Sequence, residues 1–364
     1  MILRSMPLTL AVAALLLAGC GSEVPEEPAP PPSDTTVEAE VPTAAEDPAV
    51  PAGPRELVIY TSRQPHLVEP LFDAYADESG VTISYISDDA AALIERIDAE
   101  GPDSPADVLI TVDAGNLWNA AARDLLEPMD SEIVEQRIPA ELMDPDGLWT
   151  GLSVRARTIV YHPERVDPAN LSTYEALADP EWEGRLCLRT SKKVYNQSLV
   201  AMMIERLGEE RTEEIVSGWV DNLATDVFSS DTRLIEAIAA GQCDVGIVNT
   251  YYLGRLQAED PDYPVRLFWA NQETSGTHVN ISGAGITKST NDPGAARAFI
   301  EWMVGEEAQE MIAASNLEFP AARGIALDPV VEAWGEFEGD RINLSVAGKR
   351  QAEAVRLMDR AGWR

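Results

Sequence analysis

Cys243-Asp244-Val245-Gly246-Ile247-Val248-Asn249-Thr250-Tyr251-Tyr252 is the stretch that decides how this chain reads. Its apolar first half has the composition of a buried parallel strand, so Asn249 to Tyr252 lie where that strand opens into a loop. That is the ligand-bearing edge of an open α/β sheet. Adjacent side chains on an extended segment diverge, but where a strand end curls into a helix two neighbours are able to converge on one point. A third phenol, Tyr195, follows the strand-like run Gly184 to Arg189 and precedes a helix expected over Gln197 to Leu207. Three phenols at strand-to-helix junctions suggest a shared target.

A phenol, with a reference pKa near ~10, ligates only when a highly charged cation drives its proton off. Hard oxygen donors favour hard cations, and three phenolates neutralise a trivalent one, which makes ferric iron the natural candidate. Tyrosine pairs are also common in cores and aromatic pockets, and that reading stands beside the first.

Several stretches together resemble the periplasmic ferric-iron-binding proteins, the substrate-binding components of iron ABC transporters. They are Ile59-Tyr60-Thr61-Ser62-Arg63-Gln64, Gly151 to Arg157, Val194-Tyr195-Asn196-Gln197-Ser198 and Asn249-Thr250-Tyr251-Tyr252, and the likeness runs from about Glu56 to the C-terminus. The resemblance implies a bilobal class II periplasmic-binding fold, two parallel-sheet lobes joined by crossing strands, closing by hinge motion on iron held by Tyr195, Tyr251 and Tyr252. It also implies delivery to an ABC permease; the lack of any catalytic arrangement in the residues argues separately against an enzyme.

The three tyrosines fall in the second lobe, so a closed site needs a contribution from the first. The loop Thr61-Ser62-Arg63-Gln64 follows the first strand and opens a helix, where free N–H groups and the helix dipole favour an anion. Family members use such a synergistic anion, and others supply a histidine or tyrosine from this stretch. Here Gln64 and Pro65 follow Arg63, so that direct ligand is missing. The expected site therefore adds carbonate, held by Thr61, Arg63, Gln64 and Arg155, with His66 ranked behind the anion as a possible ligand. Arg63 has the alternative of being a solvated helix-start residue. His162 and His278 read as structural.

Lys plus Arg total 27 against 62 Asp plus Glu, a net charge of −35 that excludes nucleic acid as a partner. Residues 1–20 read as a lipoprotein signal: Arg4, the apolar run Leu8 to Leu17, then Leu17-Ala18-Gly19-Cys20, which resembles a lipobox with Cys20 as the lipidated residue. The apolar run is too short for a typical membrane span. Residues 21–54 form an acidic, proline-rich tether with too few large apolar side chains to fold. The expected product is a monomeric lipoprotein at the periplasmic or extracytoplasmic face.

Beyond the tether, strand and helix alternate, which argues for a parallel sheet covered on both faces. Strands are expected at Leu57–Tyr60, Val81–Tyr85 and Ala106–Ile110, and helices at Leu67–Ser79 and Ala91–Ala99. Trp149 to Tyr161 reads as a long strand leaving the first domain for the second, and His278 to Ile286 as the return. These crossings set the first lobe at 55–152 plus about 278–325 and the second at 153–277 plus about 326–364. Cys187 and Cys243, each before a tyrosine, are expected to pair as a disulfide in an oxidising compartment, with two buried thiols as the other reading. No nucleophile elbow, P-loop or zinc spacing is present. The alternative on the same fold is a binder of a small organic or phosphate-containing anion, clamped by Arg63 and Arg155.

Overall fold

The computed structural model describes residues 55–364. The signal at 1–20 with Cys20, and the tether at 21–54, lie outside the described residues.

The first half begins with β1 (Glu56–Thr61), α1 (Pro65–Ser79), β2 (Thr82–Ser87), α2 (Ala90–Glu100) and β3 (Val108–Thr111). β1 pairs in parallel with both β2 and β3, as strand-helix-strand alternation requires. Then come α3 (Ala114–Ala122), β4 (Leu126–Glu127), α4 (Glu132–Arg137) and the wholly buried β5 (Thr150–Tyr161). The second half adds β6 (Leu186–Cys187), α5 (Val194–Leu207), α6 (Glu209–Asp221), α7 (Asp231–Ala239), β7 (Val245–Asn249), α8 (Thr250–Glu259) and β8 (Arg266–Phe268). The chain closes with β9 (Val279–Thr287), α9 (Pro293–Met303), α10 (Glu306–Asn316), β10 (Phe319–Pro320), α11 (Pro329–Glu332) and α12 (Ser345–Arg360).

The strands order as β2-β1-β3-β9-β5-β7-β6. β5 pairs with β9 from Thr150 to Ala156 and with β7 from Arg157 to Tyr161, so one strand serves both lobes. The sheet is mixed rather than parallel, because β5 and β9 run out and back and must pair antiparallel with each other and with their neighbours. The run from Gly184 to Arg189 yields only the two-residue β6, and α5 begins at Val194 rather than Gln197. α8 starts at Thr250 directly after β7, with no loop between them.

Each lobe has its own core. Leu57, Ile59, Leu109 and Phe299 anchor the first, and Ile159, Trp182, Trp219, Val245 and Trp363 the second. Alternation across the sheet sends Ile159 to that cluster and Val160 to another on the opposite face, with Leu234, Ile238, Val248 and Leu253. Gly246 lies between: a Cβ there would fall 2.5 Å from Leu234 and 2.9 Å from the Cys187 carbonyl, so the close packing of α7 on β7 requires glycine. α12 packs against α5 and α3, where Gly348 lies against Trp118 too closely for a side chain.

Cys187 and Cys243 are disulfide-bonded, with Cα atoms 6.0 Å apart and a separation of 56 residues. The bond ties β6 to the segment entering β7, the strand that leads to Tyr251. Closing a loop of this length limits the unfolded chain by roughly 2–4 kcal/mol. Denaturant unfolding with and without reductant should differ by that amount, and coincident midpoints would show that the bond contributes nothing.

Candidate functional site

α5 and α8 deliver the three phenols from their first turns, Tyr195 one residue into α5 and Tyr251 and Tyr252 one and two residues into α8. All three line a cleft of about 530 Å³ together with Ser62, Arg63 and Gln64 from the other lobe. The rings of Tyr251 and Tyr252 lie 4.4 Å apart between centroids and tilt by 35°. The convergence of two neighbours follows from the immediate start of α8, because a strand continuing past Asn249 would have thrown them to opposite faces.

A buried network behind the tyrosines fixes the two helix starts. The guanidinium of Arg157, on β5, donates Nε to Asn196 Oδ1 at 2.9 Å, Nη1 to Asp231 Oδ2 at 3.0 Å and Asn249 Oδ1 at 3.1 Å, and Nη2 to the Ile247 carbonyl at 3.1 Å. Asn196 adjoins Tyr195, and Asn249 precedes α8 and donates Nδ2 to Tyr251 Oη at 3.3 Å. One side chain thus sets the spacing between the tyrosine-bearing turns. From the first lobe, Asp113 accepts from Ser198 Oγ on α5 at 2.8 Å.

The electrostatics favour negative charge in the cleft. α1, α5 and α8 begin there without side-chain caps, as do α6, α10 and α12 elsewhere. Uncapped N-termini leave free N–H groups and the positive end of the helix dipole. Arg155 and Arg189 each stand 5.6 Å from the Tyr195 ring, and Arg255 stands 5.2 Å from that of Tyr251. Exposed Lys192 and Lys193, two of the chain's four lysines, also line the cleft. Burial pushes the phenol of Tyr251 well above its ordinary value, with Tyr195 and Tyr252 adding to the rise and Arg155 opposing it. Burial likewise raises Tyr195, against Arg155. These phenols are protonated at neutral pH.

The anion residues expected from sequence are arranged differently. Thr61 is buried behind the loop, its Oγ1 accepting from the Arg63 N–H at 3.1 Å, and Ser62 faces the cleft in its place. Gln64 is exposed at the start of α1 and lines the cleft. Arg63 and Arg155 reach the cleft, but neither is a free clamp or a solvated helix-start residue. Arg63 Nη1 donates to Glu318 Oε2 at 3.0 Å and to Ser282 Oγ, and Arg155 donates Nη2 to the Ile281 carbonyl and lies 3.8 Å from Glu318 Oε1. His66 is exposed outside the cleft lining. His162 accepts the Glu164 N–H at 3.3 Å, and His278 is buried, its pKa lowered to about 3 by burial with Arg157 and Arg155 adding. Among the described residues no three His, Cys, Asp or Glu side chains gather into a metal site.

Sequence reading missed Glu318, Arg189 and Arg255. Each meets the site only through long-range contacts, and no local spacing marks them.

The description "bacterial extracellular solute-binding protein" fits residues 103–334. Iron uptake protein A1 of Synechocystis is 40% identical over 362 residues, covering 98% of this chain and 95% of that protein. A Trichodesmium structure (IdiA, FutA) in complex with iron and citrate ligands aligns with a TM-score of 0.82 at 41% identity, over 85% of this chain and 100% of that one. The ferric binding protein from Campylobacter jejuni aligns at 0.79 with 33% identity, over 85% and 100% of the two chains.

Proposed function

The chain belongs to the bacterial extracellular solute-binding family and stands there with the periplasmic ferric-iron-binding proteins of ABC iron transport, and from that premise we propose that Tyr195, Tyr251 and Tyr252 bind its ferric cargo as phenolates. The observation carrying this reading is the convergence of three phenols in one interlobe cleft, with those of Tyr195 and Tyr251 raised by burial. Three phenolates neutralise Fe³⁺ and leave coordination positions open. An oxygen anion completes the shell, with carbonate in its singly charged form, hydrogencarbonate, as the simplest occupant and the uncapped N-terminus of α1 beside Gln64 as its support. In the assigned course, iron meets the phenols of the second lobe first, the anion follows, and closure of the first lobe buries both before delivery to the permease. Cys20 anchors the mature protein to the membrane through lipid.

Ferric titration tests this directly. Phenolate-to-iron charge transfer should give an orange to red protein whose visible band saturates at one iron per chain. A colourless titration would reject the tyrosine site and favour the organic-anion binder, for which the cationic side chains of the cleft would be the recognition elements.

A further inference from the structure

The first lobe's side of the cleft holds three buried charges. The side chains of Arg63, Arg155 and Glu318 are 8%, 3% and 1% exposed, and all three line the cleft. The carboxylate is fully engaged: Oε2 accepts from Arg63 Nη1 at 3.0 Å and from Ser153 Oγ, and Oε1 accepts from Asn316 Nδ2 at 2.6 Å with Arg155 Nη1 at 3.8 Å. β10 fixes its place, pairing Phe319 with Val154 one residue beyond Glu318.

We propose that Glu318 is the residue that sets the charge of the anion taken up with iron: it cancels one of the two positive charges of Arg63 and Arg155, so the cleft accepts a singly charged anion in preference to a doubly charged one. The proposal rests on the tyrosine–iron reading above. Burial works to raise the pKa of Glu318, but Arg63 and Arg155 outweigh it and hold the group below the ordinary glutamate value, so the carboxylate is charged at neutral pH. Ferric iron with three phenolates is neutral. The cleft's other lining charges, Lys192, Lys193, Arg255 and Asp89, are exposed and screened by solvent, so against the buried wall of net +1 a single-charge anion makes the centre −1, whereas a dianion faces that same +1 with −2. Without Glu318 the wall becomes +2 and presents two guanidiniums with free donors, the arrangement that recognises doubly charged oxyanions.

The experiment compares wild type, Glu318→Gln and Glu318→Asp, first without iron, in sulfate (doubly charged at neutral pH), formate (singly charged) and chloride at equal ionic strength. Sulfate should raise the melting temperature of Glu318→Gln by about 2 °C or more beyond chloride. Wild type and Glu318→Asp, which retain the charge, should show no such excess. In carbonate-free ferric titrations sulfate should strengthen iron binding by Glu318→Gln about tenfold or more and leave wild type unchanged. Equal sulfate responses in wild type and Glu318→Gln would overturn the proposal. If Glu318→Gln does not fold, Arg63→Gln decides, because its wall carries no net charge. It should lose the gain in iron affinity that formate gives wild type, and retention of that gain would also overturn the proposal. A wild type without the phenolate band would instead remove the iron reading, an outcome separate from the sulfate response of the iron-free proteins.

Discussion

Tyr251→Phe is expected to keep the fold and lose at least about a hundredfold in ferric affinity, the upper range of losses produced even by removing an outer-shell partner of a metal ligand. The ring of Tyr251 packs with Leu317 and Val331, and phenylalanine preserves those contacts. What disappears is the hydroxyl, which accepts from Asn249 Nδ2 at 3.3 Å. The melting temperature should therefore barely move while the visible band weakens or shifts. The double change Tyr251→Phe with Tyr252→Phe should abolish the band. Iron binding by that double variant equal to wild type would return the tyrosines to the role of core residues.

The second large effect is on pH. A phenol is protonated near neutrality, and burial raises Tyr195 and Tyr251 further, so each phenol must release its proton when iron binds. The bound state then holds fewer protons than the free state, and affinity rises with pH and falls as pH drops. Three released protons give roughly a thousandfold change in affinity per pH unit, a slope that persists up to the raised pKa values of the free protein. Competition against a chelator of known proton stoichiometry, run between pH 6 and 8, measures the slope directly. A slope near two would remove one tyrosine from the ligand set, and a slope near zero would remove all three.

What the sequence disclosed follows from the range of the interactions involved. The run Asp244 to Val248 signals its strand locally, because four of its five residues have no role other than to be buried, and β7 lies there. Tyr251 and Tyr252 were legible as a pair because they follow that apolar run closely, but the loop expected there is absent and α8 begins at once. Lys193 and Val194 gave no such signal for α5, since neither is a side-chain cap, and the helix starts earlier than its periodicity suggests. The charge pairing of the cleft was illegible for a different reason. Glu318 stands 255 positions from Arg63, and in a chain with 62 acidic residues nothing in the string distinguishes the few that turn inward. Arg157, read as one residue of an alternating strand, proves to be the anchor of both tyrosine-bearing turns for the same reason.

The side-by-side crossing of β5 and β9 has a mechanical consequence. Where they leave the first lobe the two strands remain laddered, Ala156 opposite Val279 and the Arg157 N–H donating to the His278 carbonyl at 2.9 Å. Sliding one strand along the other would break several such bonds together, at about 1 kcal/mol each, whereas flexing the ribbon across its width breaks none. The linkage has many atoms but one soft degree of freedom. Paired distance labels, one on each lobe, should therefore trace a single arc, and cargo loading should move the molecule between two positions on that arc rather than through a spread of unrelated orientations.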